Sequence, residues 1–165
     1  MKRQILILLA FSALILAGCG ARNSAAAAGD PYNTTANARL DIKQALARAA
    51  ATHTSVIVVF GANWCPDCRE LDHAMSHGAC ATLIARDFQV VKVSVGRFNR
   101  NLDVAADYGV PLAKGIPAVA ILSSPNQVLY VTKEGELANA RNMGDTGIYD
   151  FFKRVTADAK ARKPG

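Results

Sequence analysis

Apolar positions along the chain follow two periods. Residues 55–60, SVIVVF, form a continuous β-branched run, the pattern of a strand covered on both faces. FQVVKVSV (88–95) and AVAIL (118–122) repeat it. QVLYVT (127–132), reached through the turn residues Ser123, Ser124, Pro125 and Asn126, predicts a fourth strand pairing back on the third. Between these runs the period lengthens to that of a helix. Leu40, Ile42, Ala45, Leu46, Ala49 and Ala50 make an apolar stripe over 36–51, with Arg39, Lys43 and Arg48 on the other side. Helical composition returns over 65–77, with Gly78 as its stop, and shorter helices are predicted over 80–86 and 102–108. Residues 96–101 read as a polar connection and 133–144 as polar and irregular. A last amphipathic helix over 145–160 buries Ile148, Phe151, Phe152 and Val155.

Strands alternating with helices require parallel crossings, and the late hairpin adds an antiparallel edge. The prediction is one α/β domain over 36–165: a central mixed four-stranded sheet flanked by helices. No internal repeat or second domain is visible.

The first eighteen residues do not belong to that pattern. A basic start, Lys2 and Arg3, precedes the uncharged run ILILLAFSALILA (5–17). Thirteen apolar residues are short for a membrane span and fit the apolar region of a secretory signal. Leu16, Ala17, Gly18 and Cys19 then resemble the lipobox of bacterial lipoproteins. That resemblance implies a signal peptide over 1–18 and a lipid, palmitate included, attached at Cys19. It also implies a protein held on the bacterial envelope, facing the periplasm. Gly20 after Cys19 favours the outer over the inner membrane. Residues 19–35 are small and polar and are expected to be a flexible tether.

Without Lys2 and Arg3 the chain keeps 17 basic against 13 acidic residues. No dense Lys/Arg block with interleaved aromatics is present, which argues for a solvated basic surface and against nucleic-acid binding. Four cysteines remain to be explained: Cys19, Cys65, Cys68 and Cys80.

Cys65 and Cys68 sit in NWCPDC, residues 63–68. That spacing can close a disulfide, supply half of a zinc site, or be incidental. Its location favours the first. Cys65 follows a buried strand and opens a helix, where free N–H groups and the helix dipole favour thiolate, the nucleophilic form. Pro66 suits the first helical turn. Cys68, nearly one turn on, is within reach of Cys65. Cys65 is expected to be exposed and to attack, and Cys68 to be shielded and to resolve the mixed disulfide.

With Trp64-Cys65-Pro66-Asp67-Cys68 after one strand and Gly115-Ile116-Pro117 before another, residues 50–160 resemble the thioredoxin family. The resemblance implies a thiol–disulfide oxidoreductase with no organic cofactor, working through a redox-active Cys65–Cys68 disulfide. Pro117 should be cis and lie beside the cysteines, with the backbone of Ile116 pairing with an extended substrate segment. Trp64, Pro66 and Asp67 complete the expected substrate surface. Partners would be protein thiols and disulfides and, for a reductase in an oxidising compartment, a thiol electron donor spanning the membrane. A monomer is expected.

Three features depart from the family. The buried acid that serves the resolving cysteine would fall at Val59, which cannot ionise; Glu70, Asp72 and His73 are the nearest substitutes. Asp67, close to Cys65, is expected to oppose the helix dipole and make the couple less oxidising. PLAKGIP (111–117) lengthens the approach to Pro117.

A reading of another class is a copper- or zinc-binding metallochaperone on the same scaffold. Cys65, Cys68, His73, His77 and Cys80 lie within sixteen residues, yet one continuous helix would put His77 about 18 Å from Cys65. No metal is therefore expected at the cysteine pair. Cys80 reads as a small buried side chain.

Overall fold

The structure, a computed structural model, describes residues 29–162. The predicted signal peptide 1–18, Cys19 and the predicted tether through residue 28 lie outside the described residues. Among the described residues no helix is long and apolar enough to cross a membrane.

Helix α1 (Ala38–Thr52) begins one residue after Asn37, whose side chain accepts the Leu40 N–H and caps the first turn. It buries Ala38, Ile42, Ala45 and Ala49. Strand β1 (Ser55–Gly61) follows, and all seven of its residues are buried, as its unbroken apolar run requires. Helices α2 (Pro66–Ser76) and α3 (Gly78–Asp87) carry the chain over to β2 (Phe88–Ser94), which pairs parallel with β1. Helix α4 (Leu102–Asp107) and a 3₁₀ turn (Leu112–Lys114) lead to β3 (Ala118–Leu122) and β4 (Val128–Val131), and helix α5 (Ala140–Arg162) closes the domain.

The sheet order is β2-β1-β3-β4, with β1–β3 and β3–β4 antiparallel. It is the mixed four-stranded sheet that the alternation of runs predicts. α1 packs against β1 and β2, while α2, α3 and α5 pack on one another. The β1–β3 register matters most for function. Phe60 faces Ala118, so the end of β1 and the start of β3 share one edge of the domain. Whatever follows β1 therefore stands beside whatever precedes β3.

Three boundaries differ from expectation. The predicted tether is too long at its C-terminal end: Tyr32 is 2% exposed and belongs to the core. Its ring and both of its backbone polar groups find partners in the domain, which a polar-sequence criterion does not register. Gly78 does not simply end a helix. The break falls at His77 (φ −132°, ψ 157°), and Gly78 starts α3 at once. The stretch 133–144 is not wholly irregular. α5 starts at Ala140, and Gly144 (φ 64°, ψ 174°) interrupts it, so the predicted start at residue 145 marks the kink.

Candidate active site

After Gly61 the chain turns through Ala62, Asn63 and Trp64 and enters α2 at Pro66. The Cys65 N–H bonds the Ala62 carbonyl at 3.1 Å and fixes the turn. Cys65 is the N-cap of α2, and its sulfur accepts the Cys68 N–H at 3.4 Å. Pro66, exposed at the first helical position, takes the one place where a missing N–H costs nothing. Cys65 Sγ thus stands at the N-terminal end of a helix, where a negative charge is stabilised.

Across the shared edge, the Ile116–Pro117 peptide is cis, and the Ile116 carbonyl oxygen lies 3.6 Å from Cys65 Sγ. Trp64, Cys65, Cys68, Ile116 and Pro117, which the sequence separates by some fifty residues, form one cluster. The cover from Ile116 corrects one expectation. Cys65 is 5% exposed, not open, although Cys68 at 0% is the more shielded of the two. Burial pushes the Cys68 thiol well above its ordinary range; the hydrogen bond it donates to Cys65 adds to this, while hydrogen bonds from the Ala62 backbone and Tyr32 pull the other way.

Asp67 is the second correction. Its carboxylate is turned to the start of α5, accepting the Arg141 backbone N–H at 3.1 Å and the Arg141 Nε–H at 3.3 Å. It is mostly buried and serves the α2–α5 junction, satisfying a free N–H at a helix start. Its carboxylate is thus directed at α5 and not at the substrate side. The loop 111–117 is likewise tied down, with Lys114 paired to Glu134 at 2.8 Å.

Trp64 is 45% exposed beside the cysteines and is fixed by its indole N–H, which bonds the Gly96 carbonyl at 2.7 Å. Phe98, 42% exposed, meets it edge-on with ring centroids 6.2 Å apart, and the Arg97 guanidinium lies 5.9 Å from the indole centroid. Phe98 has φ 60°, an unusual region for a bulky side chain. Phe98 and Arg97 escape a reading that treats 96–101 as a polar connection. The only signal was a lone aromatic in a polar stretch.

Of the three substitutes for Val59, Asp72 separates from Glu70 and His73. Val59 is buried in β1, opposite Lys92 of β2, and Lys92 pairs with Asp72 of α2. Glu70, His73 and Asp145 instead bring ligand-type atoms within 4.8 Å of one another, and none of these residues is a cysteine. His73 and His77 stack at 4.2 Å, and Cys80 and His77 line a cleft of about 210 Å³ with Asp145 and Tyr149. Neither Cys65 nor Cys68 lines that cleft. The five residues considered for one metal site are thus divided between two places.

A family model described as thioredoxin-like matches residues 35–124. The crystal structure of a disulphide isomerase from Xylella fastidiosa Temecula1 is 50% identical, with a TM-score of 0.76 over 79% of this chain and 99% of that one. The solution structure of a thioredoxin from Thermus thermophilus is 24% identical, with a TM-score of 0.49 over 69% of this chain and 80% of that one. Among curated proteins none matches the sequence.

Proposed function

The chain belongs to the thioredoxin-like family, and from that premise we propose that it is a thiol–disulfide oxidoreductase acting on protein thiols and disulfides. The observation that carries the reading is the position of Cys65 Sγ, at the N-terminus of α2 and 3.6 Å from the carbonyl before the cis proline. A substrate strand laid along Ile116 would bring its disulfide to that sulfur. The Cys65 thiolate attacks one substrate sulfur, and the other leaves as a thiolate. Cys68 then attacks Cys65 Sγ, releases the second substrate sulfur, and leaves a Cys65–Cys68 disulfide. Two electrons have passed to the substrate, and a thiol donor must return them before the next cycle.

The exposed Trp64–Phe98 pair offers a docking surface for apolar side chains of the substrate. The preferred direction is reduction. Isomerisation, the activity in the name of the Xylella protein, opens with the same attack and also needs the pair reduced. The lipobox-like segment supports an envelope location with a lipid on Cys19, preferentially at the outer membrane, with electrons drawn from a thiol donor that spans the inner membrane.

The test is a redox titration of the purified protein in glutathione buffers. The chain has a single tryptophan, Trp64, whose fluorescence follows the cysteine pair. A reversible two-electron transition that Cys65→Ser abolishes supports the reading. A wild-type protein with no such transition overturns it.

A further inference from the structure

Cys68 must lose its proton to attack, yet it is wholly buried, and Val59, where the family resemblance would place an acid, is apolar. Among the described residues, one polar side chain, that of Tyr32, bears on it from outside the CxxC turn. Tyr32 arrives from the segment before α1, and its backbone is held on both sides by Asn63. The Tyr32 N–H donates to Asn63 Oδ1, and Asn63 Nδ2 donates to the Tyr32 carbonyl, each at 2.9 Å. The ring enters the core over Gly61. A Cβ at that glycine would stand 2.2 Å from Tyr32 Oη and 2.9 Å from Cys68 Sγ, so oxygen and sulfur are neighbours across the space that a side chain would fill. Asn63 in the turn that delivers Cys65, and Gly61 at the end of β1, thus position a residue thirty-six positions before the cysteine it faces.

We propose that the Tyr32 hydroxyl is the hydrogen-bond donor that stabilises the Cys68 thiolate during release of the mixed disulfide. The proposal rests on the oxidoreductase reading. In that step Cys68 S–H loses its proton, its electron pair forms the bond to Cys65 Sγ, and the Cys65–substrate S–S bond breaks. The substrate sulfur leaves as a thiolate and takes up a proton from solvent, balancing the one lost. Tyr32 keeps its own proton throughout. Burial, together with the charges of Cys68 and Asp72, holds the phenol protonated well beyond neutral pH, so it serves as donor and not as base. Other charged groups around this sulfur are accounted for: Cys65 on the same turn, Asp72 paired with Lys92 of β2, and Asp67 paired with Arg141 of α5.

Reaction of the reduced full-length protein carrying Cys19→Ser and Cys80→Ser, so that only the CxxC thiols remain, with dithionitrobenzoate separates the steps. The first thionitrobenzoate released reports attack by Cys65, and the second reports attack by Cys68. Tyr32→Phe keeps the ring and removes only the hydroxyl. The expected result is a fall of at least about ten-fold in the ratio of second to first rate at pH 7, with the pH midpoint of the second phase moved upward. A merely structural loss would lower the thermal midpoint without moving that pH profile. An unchanged ratio and profile in Tyr32→Phe, with two phases intact in its parent, would overturn the role of Tyr32 alone. Absence of the second release in the parent would overturn the oxidoreductase reading, and this proposal with it.

Discussion

Asn63 grips the backbone of Tyr32 through two reciprocal hydrogen bonds, both 2.9 Å long. The pair joins the segment before α1 to the turn that precedes Cys65. Asn63→Ala leaves a partly buried N–H and carbonyl without partners and is expected to cost about 1–3 kcal/mol. Urea unfolding measures it. A loss below about 0.5 kcal/mol would mean that the clamp is replaced by solvent.

Gly61 is small because Tyr32 needs the space. Gly61→Ala puts a methyl where Tyr32 Oη, Tyr32 Cζ and Cys68 Sγ already crowd, and should destabilise by roughly 1–3 kcal/mol. The same change in a Tyr32→Ala background should cost clearly less, since the obstructing ring is gone. Equal costs in both backgrounds, in a double-mutant cycle, would contradict the packing.

Asp67 ties α2 to α5 through its bonds to Arg141. Asp67→Asn weakens the hydrogen bonds to Arg141 and should lower stability by about 1–3 kcal/mol while leaving the redox midpoint in place. A shifted midpoint at unchanged stability would restore the role expected from its position in the sequence.

Alkaline pH should weaken the reduced protein. Burial raises Cys68, and burial followed by the Asp145 charge raises Cys80 to about 11. Thiols whose folded values lie above their unfolded ones favour the fold fully below the unfolded value of about 8.5. That stability drains away as pH climbs from there through the folded values. Urea midpoints of the reduced form should therefore fall between pH 8 and 11, and more steeply than those of the oxidised form, in which Cys80 alone of the described cysteines titrates. Parallel curves would refute the assignment at Cys68.

Phe98→Ala removes half of the exposed aromatic pair without touching either sulfur. For a protein disulfide substrate KM should rise several-fold, while the rate with a small aromatic-free disulfide stays within about two-fold. Equal effects on both substrates would assign Phe98 to holding Trp64 in place and not to docking.

Much of this was legible in order along the chain. The period of apolar residues gives four strands and most helices, because burial on two faces demands unbroken β-branched runs and burial on one face demands helical spacing. Cys65, Pro66 and Cys68 were legible because a helix start constrains them locally. Pro117 was legible only through the family resemblance.

What the sequence by itself determined is the set of elements and the place of the cysteine pair at a helix N-terminus. What only the tertiary structure decided is which side chains surround it. The β1–β3 register sets Ile116 against Cys65, Asp67 turns away to Arg141, and Tyr32 leaves an apparently polar lead-in to reach Cys68. The physical reason is that local periodicity reports the face a residue presents to its own element. Contacts between residues tens of positions apart depend on register and on which neighbour leaves space, here a glycine, and neither is written in any single stretch of chain.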